Sequence, residues 1–373
     1  MNIGIDARCL GPSQGGIGIY LSEILKHWPV KADADRISLF SHQSILLPES
    51  SSMVHEVSSA RLGLPWYILK AGRVINRRNL DVFWGAQNLL PGSLSRDTSS
   101  AVTVHDCVHR LPVRYAPSAL HAWIHRWCLP DTLRRSSKIL TVSRFVAEEL
   151  MTHFGVSAKK LEVIHLGVRK EFWKAEGQDK EIARVSKQYG ITAPFILAVG
   201  TIEPRKNLTT LLTAFVSLPR ELQAKYQLVL AGKMGWKQRE FRYFLKKYPR
   251  LSQLVLTGYV PYEDLPFLYA GADMLVFPSL YEGFGLPLIE AMATGCPVIA
   301  SRAGSIPEVL EEAGLFVSSV TSPSAWSDAI VQVAASASLR ESLRQAGKRR
   351  ANDFSWEKSS KMTADVLSHL ATP

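Results

Sequence analysis

Short apolar runs alternate with amphipathic stretches along this chain, the pattern of parallel sheets covered by crossover helices. In the first half the runs predict strands over Asn2–Asp6, Ile37–Ser41, Asp81–Trp84, Ala101–His105, Lys138–Val142 and Leu161–Ile164. In the second half they predict Phe195–Gly200, Gln227–Ala231, Leu254–Gly258, Met274–Pro278, Pro297–Ser301 and Leu315–Val317. Strands buried on both faces of a parallel sheet need such near-continuous runs of Val, Ile and Leu. A helix is expected over Tyr20–Lys26, and another from Pro287, a residue suited to the first helical position. Residues 167–190 are polar and charged and read as a linker between the two sets. The expected class is α/β, with two Rossmann-like domains, residues 1–170 and 191–353, facing a central cleft.

Composition agrees with a globular protein: 373 residues, 46% hydrophobic and 21% charged, are enough for two sizeable cores. No apolar stretch approaches the ~18 residues that span a bilayer, and the N-terminus reads as a first strand rather than a signal peptide. Cys9, Cys107, Cys128 and Cys296 are scattered without pairing spacing, which suits reduced thiols in a cytoplasmic protein. Cys296 itself reads as a small buried residue leading into a strand. The net charge of +11 is uneven, because 13 basic residues meet 4 acidic ones between Arg61 and Arg144. Leu64–Leu69 precede Arg73, Arg77 and Arg78, and Trp123, Ile124 and Trp127 precede Arg134, Arg135 and Lys138. Basic residues beside aromatics suit an anionic membrane surface on the inner face of the plasma membrane; a solvated basic face over core aromatics explains them equally well. No nucleic-acid module accompanies the charge, so nucleic acid is not an expected partner.

The densest chemistry lies in Tyr281-Glu282-Gly283-Phe284-Gly285-Leu286-Pro287-Leu288-Ile289-Glu290. Between a strand and a helix, the amides of Gly283 to Leu286 are expected unpaired, a cradle for a phosphate or diphosphate. Glu282 opens the cradle, and Glu290, taken to lie on the first helical turn, leans back toward it. An anion site flanked by two carboxylates that seek hydroxyls suits a sugar nucleotide.

Residues just beyond strand ends are the other candidates, since doubly wound sheets bind ligands there. Gly15 and Gly16 would let backbone approach a phosphate or sugar; the turn lacks the third glycine of the dinucleotide pattern, which argues against NAD. His105, in Val104-His105-Asp106-Cys107, ends a strand, and a plain backbone donor is its alternative reading. Ser143 is equally well explained as a helix N-cap. Arg205 and Lys206, in Thr201-Ile202-Glu203-Pro204-Arg205-Lys206-Asn207, would bring two positive charges to the cradle. Asp33-Ala34-Asp35 matches a metal-binding Asp-x-Asp signature but precedes a strand rather than following one, and is read as a decoy.

Taken together, the Glu282–Val298 segment with its two-glutamate spacing, the Gly200–Asn207 loop and Gly15-Gly16 resemble the retaining nucleotide-sugar glycosyltransferases of family 4, over nearly the whole chain. That resemblance implies the GT-B fold, with a C-terminal helix around Trp356–Leu370 (within 354–373) returning to the N-terminal, acceptor-binding domain. It implies that Arg205 and Lys206 hold the donor diphosphate, aided by Gly283, Phe284, Gly285 and Leu286. Glu282 would contact the transferred sugar, Glu290 the ribose, Gly16 the phosphate or sugar, and His105 the reaction centre. It implies hexosyl transfer with retention, needing neither metal nor cofactor. The Asp-Ala-Arg opening and the Glu-Pro-Arg-Lys-Asn form resemble bacterial mannosyltransferases that use GDP-mannose in cell-envelope polysaccharide synthesis. The acceptor is then a glycan, free or linked to a polyprenyl diphosphate. UDP-sugars, dTDP-rhamnose, an epimerase or phosphorylase of the same fold, and a catalytically silent nucleotide-binding partner at a membrane are the alternatives.

Overall fold

A computed structural model describes residues 1–371, apart from 12–14, 30–34, 46–52, 58–62, 113–114, 116–118 and 250. The chain divides into two compact units: Met1–Leu111, Ser118–Gly167 and Ser355–Pro373 form the first, Pro112–Pro117 and Val168–Phe354 the second.

In the first unit, strands β1 (Asn2–Asp6), β2 (Arg36–Ser41), β3 (Met53–Val57), β4 (Val82–Gly85), β5 (Ser99–Val104), β6 (Lys138–Thr141) and β7 (Leu161–Val163) form one sheet. Its order is β3-β2-β1-β4-β5-β6-β7, with every pairing parallel. Six of these strands stand within one or two residues of the expected bounds. Strand β3 was not expected, because Met53-Val54-His55-Glu56-Val57 is a short edge strand with polar residues where a central strand would be apolar. The first helix starts at Gly16 rather than Tyr20 and runs to Lys26. It buries Tyr20, Leu21, Ile24 and Leu25, the i, i+1, i+4, i+5 stripe of a one-faced helix. The final helix, Trp356–Ala371, lies against that first helix and against β4 and β5. Ser360 Oγ donates to the Ile24 carbonyl at 2.7 Å, and Trp356 is fully buried.

The second unit has β8 (Phe195–Val199), β9 (Gln227–Ala231), β10 (Leu254–Gly258), β11 (Met274–Phe277), β12 (Val298–Ala300) and β13 (Leu315–Phe316). Their order is β10-β9-β8-β11-β12-β13, again all parallel. Helices Leu208–Val216 and Pro323–Ala335 cover one face, placing Leu211, Leu212, Phe215, Trp326 and Ile330 in the core.

The stretch 167–190 is not an unstructured linker. It folds into helices Lys170–Lys174 and Asp179–Gln188. Phe172 and Val185 are fully buried, and Arg184 and Tyr189 both bond Asp264, at 2.8 and 3.0 Å. The charged surface of this stretch hid a few well-placed apolar residues.

In both sheets, chain order reverses beside the first strand, at β1/β4 and at β8/β11. A crevice opens outside the carboxyl ends of strands at such a switch point. The loops after β8 and β11 hold the candidate donor residues, so topology alone brings them together.

Candidate active site

The loop after β8 begins as extended backbone at Glu203 and tightens into a single 3₁₀ turn, Pro204–Lys206. The loop after β11 meets it: the Leu280 amide donates to the Arg205 carbonyl at 2.8 Å. Arg205 Nη1 reaches both the Tyr281 carbonyl and Glu282 Oε2, each at 2.7 Å. Lys206 Nζ donates to Glu282 Oε1 at 2.6 Å. Each Glu282 oxygen therefore holds one cation. Arg205 also donates from Nε to Glu203 Oε1 at 3.0 Å, with Nη2 at 2.7 Å from the same oxygen.

The two carboxylates titrate in opposite directions. Burial alone would raise Glu282, but Arg205 and Lys206 together outweigh it and bring the group down to about 2. Burial also raises Glu203; Arg205 and, less directly, Lys206 oppose it, but it also faces the charge of Glu282 and its shift remains upward. Lys206 is pulled down by burial despite its partner. The result is a charge-balanced set in which two buried carboxylates hold two partly exposed cations. Glu203 was quoted in the sequence motif without a role; its position two residues before Arg205 was the available signal.

The cradle differs in detail from expectation. The helix runs Leu286–Ala293 with Gly285 as N-cap, so Pro287 is the second helical residue and Glu290 lies beyond the first turn. Gly285 has φ of 106°, and an added Cβ would press on Leu288 at 2.9 Å. Phe284 is held by its ring, edge-on to Phe354 at 5.7 Å, and by its carbonyl. Ser305 braces the loop: its Oγ donates to the carbonyls of Glu282 and Phe284 at 3.1 and 2.9 Å.

Glu290 is buried, and burial raises its pKa. Its Oε1 accepts from Tyr262 Oη at 2.6 Å and its Oε2 from Tyr269 Oη at 2.9 Å. Phe172 packs on both tyrosines, with ring centroids at 5.4 and 5.9 Å, and the Arg169 guanidinium stacks on Tyr262 at 4.1 Å. Neither tyrosine was singled out in the sequence, because nothing local ties them to a glutamate more than 20 positions away. Each carboxylate oxygen keeps a second lone pair, so Glu290 can still accept from a ligand hydroxyl.

In the first unit, Gly15 precedes the Gly16–Lys26 helix. Ser143 Oγ accepts from the Val146 amide at 3.2 Å, the N-cap role of its plainer reading. His105 likewise bonds backbone: Nε2 lies 2.8 Å from the Ala86 carbonyl. A carbonyl only accepts, so Nε2 carries the proton and Nδ1 is the acceptor. The His105 amide donates to Asn88 Oδ1 at 2.7 Å, with Asn88 itself in the left-handed region at φ 62°. Tyr20 packs edge-on to the imidazole at 4.8 Å. Burial lowers the His105 pKa. Since the folded state resists this proton, the stability His105 contributes is full above about 6.5 and is lost as pH falls through its lowered value. Unfolding of the first unit between pH 7 and 5 should steepen accordingly, and His105→Gln should flatten that limb of the curve.

Among the described residues no group of His, Cys, Asp and Glu is placed to hold a metal ion. Asp33 lies outside them, so the Asp33–Asp35 reading cannot be placed. The four cysteines are free, with Cys296 buried as read.

Two parallel sheets of this order, with the loops after β8 and β11 meeting at the switch point of the second, define a GT-B glycosyltransferase. Residues 15–172 match the family described as Glycosyltransferase Family 4, and residues 179–350 match Glycosyl transferases group 1. The chain is 32% identical to the O-antigen chain mannosyltransferase B of Escherichia coli, over 95% of this chain and 96% of that protein. It is 26% identical to the O-antigen chain mannosyltransferase RfbU of Salmonella typhimurium, over 81% and 80% of the two chains. The sucrose-phosphate synthase of Thermosynechococcus elongatus shares the fold, with a TM-score of 0.79 at 20% identity over 99% of both chains. The protein belongs to the family 4 glycosyltransferases, and these two relatives are named as mannosyltransferases of the O-antigen chain.

Proposed function

We propose that this protein transfers mannose from GDP-mannose, with retention of the anomeric configuration, onto a glycan acceptor carried on a polyprenyl diphosphate at the cytoplasmic face of the membrane. The observation that carries the reading is the convergence of Arg205, Lys206 and Glu282 at the switch point of the second sheet, with Glu290 on the following helix. In this reading the donor diphosphate takes the cations, aided by the Gly283–Leu286 loop. Glu282, released from them, turns to the sugar hydroxyls. Glu290 accepts from the ribose while Tyr262 and Tyr269 hold it in place. Neutral His105 offers Nδ1 to a sugar hydroxyl.

Loss of the diphosphate builds negative charge on its bridging oxygen, which Arg205 and Lys206 stabilise. The acceptor oxygen attacks the anomeric carbon from the face the diphosphate leaves, and its proton passes to the leaving phosphate oxygen. No carboxylate is needed as a covalent nucleophile. The protein's part is positioning and charge stabilisation. Two cations on the diphosphate make a metal unnecessary, so activity should survive EDTA.

Thermal unfolding against GDP, UDP, dTDP and their sugars, with and without EDTA, tests the donor. A nucleotide at ~100 times its Kd should add about 2.7 kcal/mol of stability. The expected result is a shift with GDP and GDP-mannose alone, unchanged by EDTA. A shift with UDP or dTDP species moves the donor, and loss of activity in EDTA that manganese restores overturns the metal-free mechanism.

A further inference from the structure

Helix Ala119–Arg135 of the first unit turns the wrong residues outward for a protein surrounded only by water. Ala122, Leu129 and Leu133 are buried, so the helix is correctly seated on its sheet. Yet Leu120, Trp123 and Trp127 are 64, 59 and 67% exposed. Spaced i, i+3 and i+7, they share one face, and the two indoles lie against each other at 6.1 Å between centroids. A solvated basic helix needs no tryptophan there, and core aromatics would be covered. The plain reading of a solvated basic face over core aromatics therefore fails at these residues.

The charges around the face indicate what covers it. The helix carries Arg126, Arg134 and Arg135 against a single acid, Asp131. Arg126, between the two indoles in sequence, and Arg134, two turns further along the helix, are exposed; Arg126 reaches the His109 carbonyl at 3.4 Å, and Asp131 bonds both Arg134 and Arg135. The surrounding Arg61–Arg144 segment holds 13 basic residues and 4 acidic ones. A second copy of this surface would bring like charges together, which opposes self-association. An anionic surface satisfies the arginines while its interior takes the apolar edges. Tryptophan, an amphipathic ring with one donor, is suited to that boundary. Among the described residues no helix is long and apolar enough to cross a membrane, so this one would lie in the interface.

We propose that the outward face of helix Ala119–Arg135 docks on an anionic phospholipid bilayer. Trp123, Trp127 and Leu120 enter the headgroup–acyl boundary, and Arg126 and Arg134 meet lipid phosphates. The inference does not depend on the identity of the donor or on catalysis.

Flotation with vesicles of phosphatidylethanolamine and phosphatidylglycerol, against neutral phosphatidylcholine vesicles, tests it. The unmodified chain should bind the anionic vesicles in a salt-sensitive manner. W123S/W127S should lose at least about tenfold in partitioning, and R126Q and R134Q roughly fivefold each. Nucleotide-induced thermal stabilisation should be unchanged in all of them, which separates failure of this proposal from failure of the donor assignment. Should the serine variants fold poorly, brominated lipids can report on the unmodified protein: they should quench its indole fluorescence, and W123F/W127F should remove that quenching. Equal flotation of W123S/W127S and the unmodified chain overturns the proposal. So does concentration-dependent self-association, seen by sedimentation, that the same substitutions abolish, because the face would then be an interface between copies.

Discussion

Replacing Glu282 with alanine should cut glycosyl transfer by about 100- to 1,000-fold while leaving nucleoside diphosphate affinity unchanged or tighter. The carboxylate holds both Arg205 and Lys206 in the unliganded protein, through bonds of 2.7 and 2.6 Å. A donor diphosphate competes with it for those cations, so its removal clears the way for the anion. The sugar, however, loses the group that positions its hydroxyls in the transition state, where preorganised polar contacts have their largest effect. Stability should move the other way. Taking one carboxylate from this charge network removes a paired anion from two cations that burial has largely desolvated, a loss of about 3 kcal/mol. Arg205 keeps its bonds to Glu203, whereas Lys206 loses its direct ion pair and keeps only the more distant charge of Glu203. Nucleotide should therefore stabilise the variant more than it stabilises the unmodified protein. The pH dependence supplies an internal check. Glu282 is depressed from 4.5 to about 2, so its contribution is whole above 4.5 and disappears as pH falls toward 2. The variant should lack that part of the acid limb. The measurements are transfer rate, calorimetric nucleotide affinity and urea unfolding on the same samples; parallel loss of transfer and affinity would sink the assigned role.

The fold was largely legible because buried parallel strands announce themselves as continuous apolar runs: Met274–Phe277 and Gln227–Ala231 are where those runs stand. Legibility failed where burial is one-sided or sparse. Strand Met53–Val57 sits at a sheet edge, and helix Asp179–Gln188 rests largely on Val185 beneath a charged surface. At the site, the strand-end rule picked out Arg205 and Lys206, and the glycine cradle picked out Glu282 and Glu290, each individually. It could not supply their pairing, because the contacts join residues 76 and 77 positions apart. Tyr262 and Tyr269 on Glu290 and Asn88 under His105 were missed for the same reason, whereas Glu203 stood two residues from Arg205 and was passed over despite that signal. The two tyrosines and Asn88 act through another residue and carry no local pattern of their own. The indoles of Trp123 and Trp127 are the converse case, since sequence placed them beside arginines and only the fold decides that they face outward.

Gly304 gives the second large effect, because one added methyl group there should damage the fold and the site together. Its φ is +61°, a region that costs an L-residue about 1 kcal/mol. Strain alone would be tolerable. The decisive term is space: a Cβ would lie 2.4 Å from the Glu282 carbonyl oxygen and 2.7 Å from its amide nitrogen. Those are backbone atoms, and Ser305 pins the same carbonyl by its amide and its hydroxyl, both at 3.1 Å. The loop cannot yield without carrying Glu282 away from Arg205 and Lys206. Gly304→Ala should therefore cost about 3 kcal/mol or more, in the range of serious overpacking combined with a broken polar network. Transfer should fall at least tenfold even at temperatures where the variant remains folded, since small displacements of a positioned group are expensive. Gly258→Ala is the matched control. Its φ is +69° and nothing lies within 4 Å of the new Cβ, so it should lose only about 1 kcal/mol, the left-handed strain, and keep full activity. Urea midpoints and transfer rates of the two variants decide the matter. If Gly304→Ala proves no worse than Gly258→Ala, the Glu282 loop is not held rigidly against Gly304, and the buried ion pairs alone must position the carboxylate.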